Sequence, residues 1–133
     1  MATHPPADNS TFGNTDFLST AHMHLEMTFD FDIQSITGIA THDLIVHKPT
    51  SVLQLDCWDI EVTKVRMLKP GDAMKMRNMT TDVAAVRKLY QAESAVTLDY
   101  RVRTFNEKIG QTLIMDLGQQ VQAGESVSVA VWY

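Results

Sequence analysis

The chain has 133 residues, 44% of them hydrophobic and 20% charged, the composition of one globular domain and not of a disordered segment. A net charge of −5 with no basic stripe excludes a nucleic-acid partner, because phosphate recognition needs clustered Lys and Arg. No apolar run approaches the roughly 18 residues that a membrane helix needs, and a single cysteine, Cys57, excludes an internal disulfide. With neither a basic nor an apolar leader at the amino terminus, the pattern is that of a cytoplasmic protein.

Residues 1–16 are rich in Pro, Asn, Ser, Thr and Asp without periodicity. They read as a flexible tail, with a single β-domain over 17–133. From His22 to Asp32 the apolar residues Met23, Leu25, Met27, Phe29 and Phe31 alternate with polar ones. Period two predicts a long strand with that row buried and the other face wet. Each buried side chain would contribute about 1.5–3 kcal/mol. A turn through Ile33, Gln34 and Ser35 leads to a second strand over 36–47, making an antiparallel hairpin.

Lys48-Pro49-Thr50 interrupts the pattern. Val52, Leu53 and Leu55 open a third strand, and Ile60, Val62, Val65 and Met67 mark a fourth. Lys69-Pro70-Gly71-Asp72 is a turn signal. Within 74–95, Thr81-Asp82 caps a short helix whose Val83, Val86, Leu89 and Tyr90 recur at helical spacing. Val96, Leu98, Tyr100 and Val102 then alternate along a strand over 96–104. Another strand spans 112–117, followed by a connection over 118–124. The last runs over 126–133, with Val127, Val129 and Val131 on one face. The fold class is all-β or nearly so: an antiparallel or mixed sheet built as meanders, with at most one short helix. The final strand is still in progress at Trp132-Tyr133, the pattern of a chain cut from a longer one. An open strand edge there would favour self-association.

The order of these segments resembles a known family. Thr20-Ala21-His22-Met23-His24-Leu25, Phe29-Asp30-Phe31, Ile36-Thr37-Gly38-Ile39-Ala40, Leu53-Gln54-Leu55-Asp56 and Trp58-Asp59-Ile60-Glu61-Val62-Thr63-Lys64-Val65 follow the succession seen in gluzincin aminopeptidases related to leukotriene A-four hydrolase. The resemblance implies a saddle-like amino-terminal β-domain, of which this chain covers the first part, docked on a thermolysin-like catalytic domain. It implies zinc and removal of amino-terminal residues from peptides in the parent enzyme. Segment 74–95 has no counterpart in the pattern.

The family's catalytic motifs are absent. H-E-x-x-H supplies two zinc ligands and a general base, but the five histidines precede Pro5, Met23, Leu25, Asp43 and Lys48. G-x-M-E-N is missing too. The chain is therefore expected to carry no catalytic residue and no cofactor of its own, and to frame the active-site cleft of its parent. The alternative is a stand-alone binding or scaffold module, whose signature is a sealed final strand with Trp132 and Tyr133 packed.

Among individual residues, His22, His24 and Glu26 share one strand face, an arrangement that can present two imidazoles and a carboxylate to a metal. Asp43 on the facing strand would lie near His24. The plainer reading is a solvated polar face. Cys57 has no basic neighbour closer in sequence than Lys64 and reads as a small buried residue, not a reactive thiol. Asp30 with Asp32, and Asp56 with Asp59, have the spacing of acid–base pairs but read as surface acids near turns. The eight methionines read as core filling.

Overall fold

The computed structural model describes residues 11–68, 82–91, 95–106, 108 and 110–133; the turn expected at 69–72 lies outside them. In chain order the elements are β1 (Leu18–Asp30), β2 (Ser35–Val46), β3 (Thr50–Cys57), β4 (Lys64–Leu68), α1 (Val83–Gln91), β5 (Val96–Thr97), β6 (Asp99–Asn106), β7 (Gly110–Val121) and β8 (Ser126–Trp132). They form a five-stranded sheet ordered β1-β2-β8-β4-β5 and a three-stranded sheet ordered β3-β7-β6. Every pair of neighbours is antiparallel. The sequential pairing of a meander holds for β1–β2, β4–β5 and β6–β7. Elsewhere the chain crosses between sheets, and β8 enters between β2 and β4.

The core lies between the sheets. Leu44, Val46, Val65, Met67, Val127, Val129 and Val131 of the larger sheet cluster with Leu53, Leu113, Met115 and Leu117 of the smaller. β8 is the central strand. Its β-branched residues suit a pleated surface closed on both sides. On its other face Ser128 and Ala130 are also fully buried. Ala130 gathers Leu68 and Ala95, with Ile39, Leu89 and Trp132 packed on them. Helix α1 begins as the sequence predicts: the Asp82 carboxylate accepts the Ala85 N–H at 3.1 Å, satisfying a donor with no partner inside the helix. No helix among the described residues is long and apolar enough to cross a membrane.

Four boundaries differ from the sequence reading. The fourth strand starts at Lys64, not at Ile60, because the chain must first leave one sheet for the other; Asp59 breaks it at φ +50°. The strand expected over 96–104 is two: β5 pairs with β4, and β6 with β7. Alternation persists across the switch, yet only Leu98 is buried, since Val96, Tyr100 and Val102 sit on edge strands. β7 runs on through Gly118, which takes a φ of +73°, a conformation glycine adopts without steric cost. The tail expected to Asp16 is docked from Thr11. The Asn14 amide donates to the Val52 carbonyl at 2.7 Å and its oxygen accepts the Gln54 N–H at 2.8 Å. One side chain thus serves the outer edge of β3 as a neighbouring strand would.

Candidate functional site

The first hairpin forms with Met23 opposite His42, Leu25 opposite Ala40, Met27 opposite Gly38 and Phe29 opposite Ile36. The expected burial of its apolar row does not follow. Met23, Leu25, Met27 and Phe29 are 46, 50, 48 and 54% exposed, and Phe31, Ile33 and Ile36 at the tip are exposed too. The hairpin outruns the sheet that covers its base. On the same face Leu18, Leu44 and Val46 are buried, His42 is 8% exposed, and Ile36 is 52% exposed. The product is an apolar sheet face of five large side chains, Met23, Leu25, Met27, Phe29 and Ile36, extended at the turn by Phe31, whose ring stacks on Phe29 at 6.5 Å. Contiguous patches of this kind mark surfaces that meet a partner.

Gly38 sets the width of this hairpin. Its N–H and C=O pair with the Tyr133 backbone at 2.8 and 3.0 Å. A methyl group on Gly38 would lie 2.3 Å from the Glu26 carbonyl oxygen and 3.0 Å from the Tyr133 hydroxyl. Gly38 thus lets three strands and an aromatic ring close over one point.

Where the covering sheet ends, a cavity of about 260 Å³ opens between the layers, bordered by Met23, Ala40, His42, Leu55, Cys57 and Tyr133. Burial pushes the pKa of His42 below its ordinary 6.5, because a low-dielectric site disfavours the imidazolium. Its Nδ1 lies 3.3 Å from the Thr20 hydroxyl. Burial, and then the Asp56 charge beside it, push the Cys57 thiol up. Both groups are therefore neutral near pH 7, and the cavity offers apolar contact without an activated nucleophile. The sequence did not single out His42; its place in the apolar register of β2 emerges only from the pairing with Met23.

On the opposite face, His22, His24 and Glu26 do not assemble as ligands. A bulge between Thr20 and His22 sets the register so that Asp43 faces His22, while His24 faces Thr41. Asp43 is buried and accepts a hydrogen bond from the Ser128 hydroxyl at 3.4 Å. Glu26 is engaged by Arg87 of α1, whose Nε donates to it at 3.0 Å. Among the described residues, nothing hydrogen-bonds the enclosed His24 Nε2. Among the described residues no group of three or more His, Cys, Asp or Glu has the geometry of a metal site.

One acid of each pair is engaged by local backbone or side-chain donors. Asp30 accepts the N–H groups of Asp32 and Ile33, closing the hairpin turn. Asp56 accepts the Phe12 N–H at 2.9 Å and the Thr11 hydroxyl. Trp132 stacks under the Lys64 ammonium, 4.3 Å from the ring centre. Trp132 and Tyr133 both continue the central strand and are half-buried, so neither lies on a sheet edge.

No protein-family model matches the chain, and no curated protein matches it in sequence. Solved structures do. Yeast leukotriene A4 hydrolase in complex with bestatin superposes with a TM-score of 0.66 at 17% identity, over 99% of this chain and 17% of that one. The native yeast enzyme gives 0.64 at 17% identity, over 98% and 17%. Native leukotriene A4 hydrolase from Saccharomyces cerevisiae also gives 0.64 at 17% identity, over 99% and 17%. The fold is that of the all-β amino-terminal domain of leukotriene A4 hydrolase. The chain spans about 17% of the length of those hydrolases.

Proposed function

We propose that this chain is a non-catalytic β-domain of a zinc aminopeptidase-type protein of the cytoplasm, and that it docks on the catalytic domain and frames the cleft. The observation that carries the reading is the apolar face of β1 and β2, about half exposed along its length, on a fold that makes up a minor share of the hydrolases it resembles. A face rich in Met and Phe suits contact with a large neighbouring domain, because these side chains fill irregular gaps and contribute large apolar area. Cleavage of amino-terminal residues and the zinc that performs it would belong to the parent protein, since the chain has neither H-E-x-x-H nor G-x-M-E-N.

The test is the native protein, captured from its source cells with an antibody against this domain. The expected result is a species several times larger than 14.9 kDa that hydrolyses amino-acid amide dyes and loses that activity to a zinc chelator. The isolated chain should be inactive on the same dyes. A native species of 14.9 kDa without peptidase activity would overturn the reading in favour of a stand-alone binding module.

A further inference from the structure

The two sheets have four outer strands, and three of them are protected. β3 is occupied along its outer side by Asn14. β5 has only two residues. β6 carries Asp99, Arg101 and Arg103, and charged side chains discourage pairing with another chain. β1 is different: it is 13 residues long, contains no Lys, Arg or Pro, and carries its only acidic residues at Glu26 and at its last position, Asp30. Among the described residues nothing pairs with its outer side.

The direction of its free backbone groups follows from the hairpin. Gly38 spends its N–H and C=O on Tyr133. Met27 opposite it therefore belongs to a non-hydrogen-bonded pair and points its own N–H and C=O outward. By alternation Met23, Leu25 and Phe29 do the same. The residues that form the exposed apolar row are thus also those that present open hydrogen-bonding groups along the edge.

We propose that β1 is a self-association edge, pairing antiparallel with β1 of a second copy of this chain about a two-fold axis beside Leu25. In that register Leu25 meets Leu25, Met23 meets Met27 and, on the polar face, His24 meets Glu26. About six backbone hydrogen bonds form across the axis. The register centred on Glu26 instead sets two carboxylates directly opposite, which is destabilising. Charge therefore favours the Leu25 register over the one centred on Glu26. The contact uses the edge and leaves the apolar face free, so it stands independently of docking on a catalytic domain.

The test is sedimentation of the purified chain over a range of concentrations, with residue-resolved amide exchange. The expected result is a reversible dimer in which the amides of Met23, Leu25 and Met27 gain protection as concentration rises. Leu25→Pro removes an outward N–H but no hydrogen bond of the hairpin, and should weaken association at least about tenfold. Met23→Ser with Phe29→Ser alters the face and should leave the dimer in place. A chain that stays monomeric, or one whose dimer forms without protecting those amides, overturns the proposal. So does a dimer that survives Leu25→Pro and is lost on altering the face. If Leu25→Pro does not fold, the amide exchange of the unaltered chain decides alone.

Discussion

Replacing Gly38 by alanine tests how tightly the first hairpin is closed. The added methyl group would meet the Glu26 carbonyl oxygen at 2.3 Å, so the two strands must part by roughly 1 Å to reach an ordinary contact. β2 is held on its other side by β8, and the Tyr133 ring lies over the same point at 3.0–3.2 Å. Overpacking of this kind costs about 1–3 kcal/mol. Alanine returns about 0.4–1 kcal/mol by restricting the unfolded chain. The net loss should be about 1–2 kcal/mol, a fall in Tm of about 4–8 °C for a domain of this size. Urea unfolding and calorimetry would measure it. A variant as stable as the parent would refute the packing argument. Adding Tyr133→Ala should not restore stability, because the nearest clash is with the backbone; a full rescue would place the strain in the tyrosine ring instead.

Three further outcomes follow from the same geometry. Met27 is half exposed and Met115 fully buried. Met27→Ala should therefore cost less than about 1 kcal/mol and Met115→Ala about 2–5 kcal/mol, read from urea midpoints; equal losses would mean that the apolar face is covered after all. His42 has a pKa lowered from 6.5, so the unfolded chain takes up its proton at a higher pH than the folded one. Its contribution is complete above pH 6.5 and fades as pH falls through 6.5 towards the folded value; His42→Asn should flatten that part of the stability profile. Cys57 has a raised pKa, from burial first and Asp56 second. It should alkylate more slowly at pH 8 than an unhindered thiol, and Asp56→Asn should speed it; a rate at or above the free-thiol value would contradict the neutral cavity.

The sequence by itself determined the all-β class, the first hairpin, the helix that Asp82 caps and the valine face of β8. Each depends on neighbours a few residues away: alternation for the strands, a carboxylate three residues before the N–H it accepts for the cap. The absence of peptidase motifs was equally local. Only the tertiary structure decided which faces are covered. Alternation along β1 shows that its two sides differ, but says nothing about what lies over either. Leu18 and Phe29 belong to one strand, yet the first is buried and the second open, because the smaller sheet reaches only the hairpin's base. The same holds for Glu26, engaged by an arginine 61 positions away, and for His42 and Cys57, which share a cavity only after two sheets pack. β8 passes through the centre of its sheet and β1 is an outer strand among the described residues because strand order is set by long-range pairing. Local periodicity leaves that pairing undetermined.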